Sequence, residues 1–244
     1  MKKTFLFIAL LFVTRLGLAQ EELPELCADR PGVTWGAEVL PFHKVSWENG
    51  IGFERADEAN SWTLNTMIVR YGIFENVELR VGTDFLLNEG QTFGVAPLTV
   101  GTKIKVFEGE GFLPSVGFLA QMASPHVGSA ELLPSHLAPE MYLLFEHGWD
   151  NGLSLYYNAG LLWDGETATP TKALSIAVGY GITDAVGIYW DFFNYLHPEG
   201  NLYMTEIGTT WMVNRKLQLD LEAGFDLEHL NNFYTGCGVA WMIN

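Results

Sequence analysis

Charged and polar residues in this sequence recur at every second position. Glu78, Arg80 and Asp84 interleave with Val77, Leu79, Val81, Thr83 and Phe85, and Lys103 and Lys105 with Thr102, Ile104 and Val106. Gln218, Asp220 and Glu222 interleave with Leu217, Leu219, Leu221, Ala223 and Phe225. Rows of this kind can pair, hydrate or hold a polar solute. Nucleophilic catalysis would need a serine, a histidine and an orienting polar group brought together. Of His43, His126, His136, His147, His197 and His229, only His147 falls on an apolar face, while Ser154 falls on the opposite face of the next run. No Gly-x-Ser-x-Gly elbow is present, so the chain is read as not an enzyme. His126, His136, His197 and His229 sit near Glu131, Glu199 and Glu228 in polar stretches without paired metal-ligand spacing. No metal or cofactor is expected.

The element that places side chains at period two is the β-strand. Runs of alternating character predict twelve strands, near 44–55, 61–71, 76–87, 97–107, 115–123, 138–148, 152–163, 172–181, 185–195, 202–212, 216–226 and 233–243. Short turn signals at 72–76, 108–111, 149–152, 181–184 and 214–216 alternate with connections expected to be longer, at 56–60, 88–92, 124–136, 164–170, 197–201 and 228–232. An even number of strands about ten residues long, with short turns at one end and long loops at the other, is the pattern of a bacterial outer-membrane barrel. The strands of a soluble sandwich are shorter, and its edges need protection. The fold class is therefore all-β, a transmembrane up-and-down antiparallel barrel of about twelve strands. Trp163, Trp190, Trp211 and Trp241 fit interfacial aromatic girdles. The alternating segment from Gly236 to Ile243 fits the last-strand signal read by the barrel-assembly machinery, although Asn244 replaces the usual terminal aromatic.

Composition supports this class. Of 244 residues 48% are hydrophobic, too many for a disordered chain, and 13 Lys+Arg against 29 Asp+Glu argue against nucleic acid as a partner. Lys2 and Lys3, the apolar run Phe5–Val13 and the small residues Gly17 and Ala19 read as a secretory signal peptide over residues 1–19. Its removal takes three cations and no acid, making the exported chain more negative than the formal −16. Residues 20–43, with Arg30 and Pro24, Pro31 and Pro41, are expected to form an N-terminal periplasmic segment that folds into the barrel mouth as a partial plug. Residues 44–244 form the barrel. Cys27 and Cys237 are too few for a disulfide scaffold, and Cys237 is expected on the lipid-facing side.

With the apolar set facing lipid, the residues expected to line the pore are Glu78, Arg80, Asp84, Lys103, Lys105, Gln121, Glu140, Glu146, Asn158, Asp191, Glu206, Gln218, Asp220 and Glu222. Cations gather on the second to fourth strands, with Arg70 a further candidate there, and acids on the sixth and the ninth to eleventh. Acids outnumber bases, so an open lumen should concentrate cations.

Several segments carry a family resemblance: Asp29-Arg30-Pro31-Gly32, Glu48-Asn49-Gly50-Ile51-Gly52-Phe53-Glu54, Val69-Arg70-Tyr71-Gly72, and Asn76-Val77-Glu78-Leu79-Arg80-Val81-Gly82. Leu217-Gln218-Leu219-Asp220 and Tyr234-Thr235-Gly236-Cys237-Gly238 add to it. Over nearly the whole exported chain the sequence resembles the outer-membrane family described as components of the meta-pathway of phenol degradation. The resemblance implies a Gram-negative outer-membrane channel or transporter for passive uptake of small molecules, apolar or aromatic ones included. Its partners would be outer-membrane lipid, the solute and the assembly machinery. The competing readings are an outer-membrane enzyme of acylhydrolase type and a structural or binding barrel with a plugged lumen.

Overall fold

The computed structural model describes residues 26–88 and 92–243; the leader expected at 1–19 and residues 20–25 lie outside them. Twelve long strands close one antiparallel barrel: β1 (Val45–Ala56), β2 (Ala59–Phe74), β3 (Val77–Asn88), β5 (Thr99–Phe107), β6 (Ser115–Ala123), β7 (Ala138–Gly148), β8 (Leu153–Leu162), β9 (Thr171–Gly181), β10 (Val186–His197), β11 (Gly200–Asn214), β12 (Leu217–Asp226) and β13 (Phe233–Met242). Each pairs with its sequence neighbours, and β1 pairs with β13 to close the ring, Gly50 opposite Gly238 and Trp47 opposite Trp241. Closure removes the unpaired edges that an open sheet would expose. A further three-residue strand, β4 (Phe93–Val95), pairs only with the end of β3.

The alternation sorts side chains as the sequence predicts. Leu79, Val81, Leu143, Ile176, Ile188, Ile207 and Leu221 are exposed on the outside, while Glu48, Arg70, Glu78, Lys103, Asp191 and Glu206 are almost wholly buried within. This inverts the arrangement of a water-soluble protein, in which large apolar side chains are the ones removed from solvent. Cys237, opposite Leu221 and Ile51, is a free thiol, as is Cys27.

Three details differ from the expected pattern. The connections anticipated as longer at 56–60 and 197–201 are two-residue turns, because β1 pairs with β2 as far as Ala56 opposite Ala59, and β10 with β11 as far as His197 opposite Gly200. Asp57 and Glu58 have φ of 50° and 68°, the left-handed geometry that lets a two-residue turn follow strand twist. Lacking a glycine, this pair gave no hairpin signal. The turn signal at 108–111 opens a connection that reaches Pro114 before β6 begins. Trp190 lies in the middle of β10 rather than at a rim, where its indole N–H donates to Thr205 Oγ1 at 2.6 Å.

The outward position of Leu221 gives a direct test. Leu221→Arg places a charge against hydrocarbon at a cost of about 2–4 kcal/mol near the midplane. We expect it to reduce the yield of heat-modifiable barrel on gels sharply, whereas Leu221→Ala leaves that yield near the parental value.

Candidate functional site in the barrel interior

Residues 26–44 run into the barrel and back before β1 starts. The segment enters beside the β11–β12 turn, where the Leu26 amide donates to Arg215 O at 3.1 Å, and leaves past Gly72, whose carbonyl accepts from the His43 amide at 2.8 Å. Both points lie at the barrel end that carries the start of β1 and the end of β13. At that mouth Leu26 and Leu40 pack with Ala240 and Met242. Gly72 is required there, because a Cβ would collide with the Pro41 carbonyl.

Deeper in, Asp29 meets the basic arc of the wall. Its carboxylate lies 2.6 Å from Lys103 Nζ, 2.9 Å from Arg80 Nη2 and 3.5 Å from Arg70 Nη2. Arg70 donates Nε and Nη2 to the two oxygens of Glu78, both at 2.8 Å, and Nη1 to Glu48 at 2.7 Å and to the Cys27 carbonyl at 2.6 Å. Three cations thus face three carboxylates. Burial works to raise the Asp29 carboxyl, but Arg70, Lys103 and Arg80 hold it well below the usual carboxylate range. The stabilisation Asp29 contributes is therefore complete above about pH 4 and is lost only as pH falls further, towards its depressed folded value. Desolvation in the same place pushes the Cys27 thiol up to about 12, so it remains protonated and unreactive at neutral pH.

The next residue turns the other way. Arg30 donates Nε and Nη2 to Asp220 at 3.3 and 3.0 Å and Nη1 to Thr66 at 3.1 Å, with Glu222 at 3.8 Å. Its guanidinium lies so close to Gly50 and Gly238 that a Cβ on either would overlap it. The apex then satisfies its backbone on wall side chains. Gly32 N donates to Glu222 at 3.3 Å. Asp191 accepts from Val33 N at 3.2 Å, Thr34 N at 2.9 Å and Thr34 Oγ1 at 2.6 Å. Asn158 both accepts from Trp35 N at 2.8 Å and donates to its carbonyl at 2.9 Å, as a neighbouring strand would. On the way back Glu146 accepts from Ala37 N and Glu78 from Leu40 N, each at 2.8 Å, while Glu38 pairs with Lys105 at 3.2 Å.

Of the inward residues named from the sequence, Glu78, Arg80, Lys103, Lys105, Glu146, Asn158, Asp191, Gln218, Asp220 and Glu222 all hold this segment by hydrogen bonds or ion pairs. Gln218 does so by donating to the Arg30 carbonyl at 2.8 Å. The remaining four are arranged otherwise. Gln121 donates to Glu140 at 2.8 Å, Glu206 accepts hydrogen bonds from Tyr189 and Tyr234, and the Asp84 carboxylate makes no hydrogen bond or ion pair among the described residues.

Two cavities remain beside the segment. One of about 370 Å³ lies towards the long-loop end against β2, β3, β5 and β6. Another of about 690 Å³ lies towards the terminal end, largely against β8 to β12. Asp29, Arg30, Gly32 and Trp35 border both, so the apex of the segment stands between them.

The family profile described as "Putative MetA-pathway of phenol degradation" matches residues 28–242. The chain belongs to this family. The match begins at Ala28 and so takes in the inserted segment as well as the barrel. Among solved structures the fold resembles the COG4313 outer membrane channel from Pseudomonas putida F1, with a TM-score of 0.63 and 14% identity over 88% of this chain and 99% of that one. It also resembles the KdgM porin, with a TM-score of 0.60 and 10% identity over 82% of this chain and 99% of that one. NanC porin gives a TM-score of 0.55 and 12% identity over 80% and 98%. The architecture is thus that of twelve-stranded outer-membrane barrels. A comparison with curated protein sequences finds no match.

Several residues central to the interior were absent from the sequence-derived set. Glu48 alternates with the exposed Trp47 and Ile51 on the outer face and could have been found by period two. Asp29, Arg30 and Trp35 could not, because their segment has no strand period. Arg70 sits at the centre of the charge cluster. Arg70→Met leaves Glu48 and Glu78 as buried charges without their principal partner, and we expect a loss of about 3–5 kcal/mol of stability. Urea unfolding of the detergent-solubilised barrel, followed by tryptophan fluorescence, measures it.

Proposed function

We propose that this protein is an outer-membrane channel for passive uptake of small molecules, with residues 26–42 as an internal plug that sets how far the lumen is open. The observation that carries this reading is the pair of cavities in a polar interior, both bordered by Asp29, Arg30, Gly32 and Trp35 of that plug. Barrels of about eight strands are filled by wall side chains, whereas sixteen or more leave a water channel. Twelve strands leave a lumen that wall residues alone do not fill, and here a separate segment occupies much of it. The family description, phenol degradation, supports a small aromatic or apolar solute among those carried. An enzyme is the weaker reading: His147 contacts the Gly111 carbonyl and the Tyr157 hydroxyl at 3.4 Å each, and Ser154 borders the interior cavity.

In this reading the terminal end of the barrel is periplasmic and outer-membrane lipid surrounds the apolar face, the assembly machinery having inserted it. Cysteines introduced at Ser129 or Thr167 are then expected to react with an impermeant maleimide on intact cells, and cysteines at Asn151 or Asn214 only after the outer membrane is breached. The reverse pattern inverts the orientation.

Conductance tests the plug. Planar bilayers holding the intact protein should show small, cation-preferring currents, because acids outnumber bases along the lumen. Deleting residues 28–41 should raise single-channel conductance several-fold, on the order expected when a filled interior becomes a water channel. A deletion variant that inserts but conducts no better than the parent would favour a closed structural barrel.

A further inference from the structure

The smaller cavity has a wall whose charges are unequally committed. Arg30 borders it, but Nε and Nη2 are held by Asp220 and Nη1 by Thr66. Arg80 also borders it, yet its Nη2 is taken by Asp29 and its guanidinium carbon lies 5.8 Å from the centre of the Trp35 ring. Its Nε and Nη1 are buried and have no hydrogen-bond partner. Asp29 and Glu48 belong to the cluster around Arg70. The acid of this wall least committed is Asp84, whose carboxylate makes no direct hydrogen bond or ion pair among the described residues and is acted on by the charge of Arg30 only at longer range.

The strand pattern makes room in front of it. Asp84 shares the inner face of β3 with Arg80, and the position between them is Gly82; Gly101 stands opposite Arg80 on β5. Gly82 therefore leaves the wall bare beside the cavity, whereas at Gly101 the side chain of Gln121 lies over the strand. Gln121 supplies a second acceptor: by donating its amide N–H to Glu140 it leaves its own amide oxygen for the cavity it borders. Ala96, Pro97 and Ala123 provide an apolar side. Pockets of this size hold small ligands through a few placed polar groups and an apolar remainder. An uncommitted carboxylate in a partly buried site is best satisfied by a cation that brings its own hydrogen-bond donors.

We propose that this cavity is a binding site for a small organic cation, an ammonium group on a body of single-ring size, with Asp84 as its counter-ion and Gln121 as a second acceptor. The inference deepens the channel reading by naming a solute class, and it relies on that reading only for access from the long-loop end. A carboxylate solute is disfavoured because the Arg30 donors are held by Asp220 and Thr66, while the Arg80 Nε and Nη1 groups, though without hydrogen-bond partners, are buried.

The test is isothermal titration of the purified full-length barrel in detergent with benzylammonium, benzoate and benzyl alcohol, which share a ring and differ in charge. We expect benzylammonium to bind at least about tenfold more tightly than the other two. Asp84→Asn should lower its affinity by about tenfold or more, Gln121→Leu by a smaller factor, and Lys216→Gln, at the opposite end of the barrel, should leave it unchanged. Heat-modifiable mobility identifies folded variants, and if Asp84→Asn does not fold, Gln121→Leu and the ligand ranking decide. Equal or tighter binding of benzoate, an unchanged affinity in folded Asp84→Asn, or no binding heat for benzylammonium would each overturn the proposal. Binding without bilayer current leaves this site standing and removes the channel; current without binding does the reverse.

Discussion

The guanidinium of Arg70 is the interaction on which the interior depends. It sits on β2, grips Glu78 of β3 with two parallel hydrogen bonds, and reaches Glu48 of β1 and the Cys27 carbonyl of the inserted segment. A charge buried this completely is tolerable only when paired and hydrogen-bonded on several sides. Arginine meets that demand where lysine would not, because its planar fork offers several donors in fixed directions. Every strand from β1 to β3, and β5 through Lys103, is tied by this one cluster to Asp29.

The rest of the interior follows from that anchorage. The wall has a basic arc on β2, β3 and β5 and an acidic one that includes Asp191, Glu206, Asp220 and Glu222 on β10, β11 and β12. Asp29 and Arg30, adjacent in sequence and opposite in charge, turn to opposite arcs. The dipeptide thus bridges the two arcs near the β1–β13 seam, with the acid towards the cations of β2, β3 and β5 and the base towards Asp220 and Glu222 of β12. Beyond it the chain has no sheet to join, so its amides need other acceptors. The acids of the far arc supply them, which is why Asp191, Glu222 and Glu146 each accept from backbone N–H groups of the segment.

Period two was enough to read the barrel, its twelve long strands and the inner face, because a lipid-facing strand leaves little freedom in where apolar residues fall. It failed where strand pairing ran on beyond the apolar pattern. Asp57-Glu58 and Pro198-Glu199 look like parts of loops, yet the ladders of β1–β2 and β10–β11 continue up to them. The three-residue strand β4 is too short to carry a period. The interior was half legible: which residues point inward was visible, but not what they hold. Asp220 and Glu222 read as free acids, whereas Arg30 neutralises the first and shares the second. That partner lies some 190 positions away in the chain, in a segment whose irregular backbone carries no repeating signal.

The place of Arg30 at the seam has a consequence for how the ring is held closed. Its guanidinium rests on Gly50 and Gly238, one on the first strand of the ring and one on the last. No pair of neighbouring strands is more distant in sequence, so this seam carries the largest loop-closure cost of any pairing in the ring. A side chain from the amino-terminal segment that binds β12 and fits the bare backbone on both sides of the seam shortens the effective loop that must be closed. The inserted segment thus braces its own enclosure: what obstructs the lumen also holds the two rims of the sheet against each other.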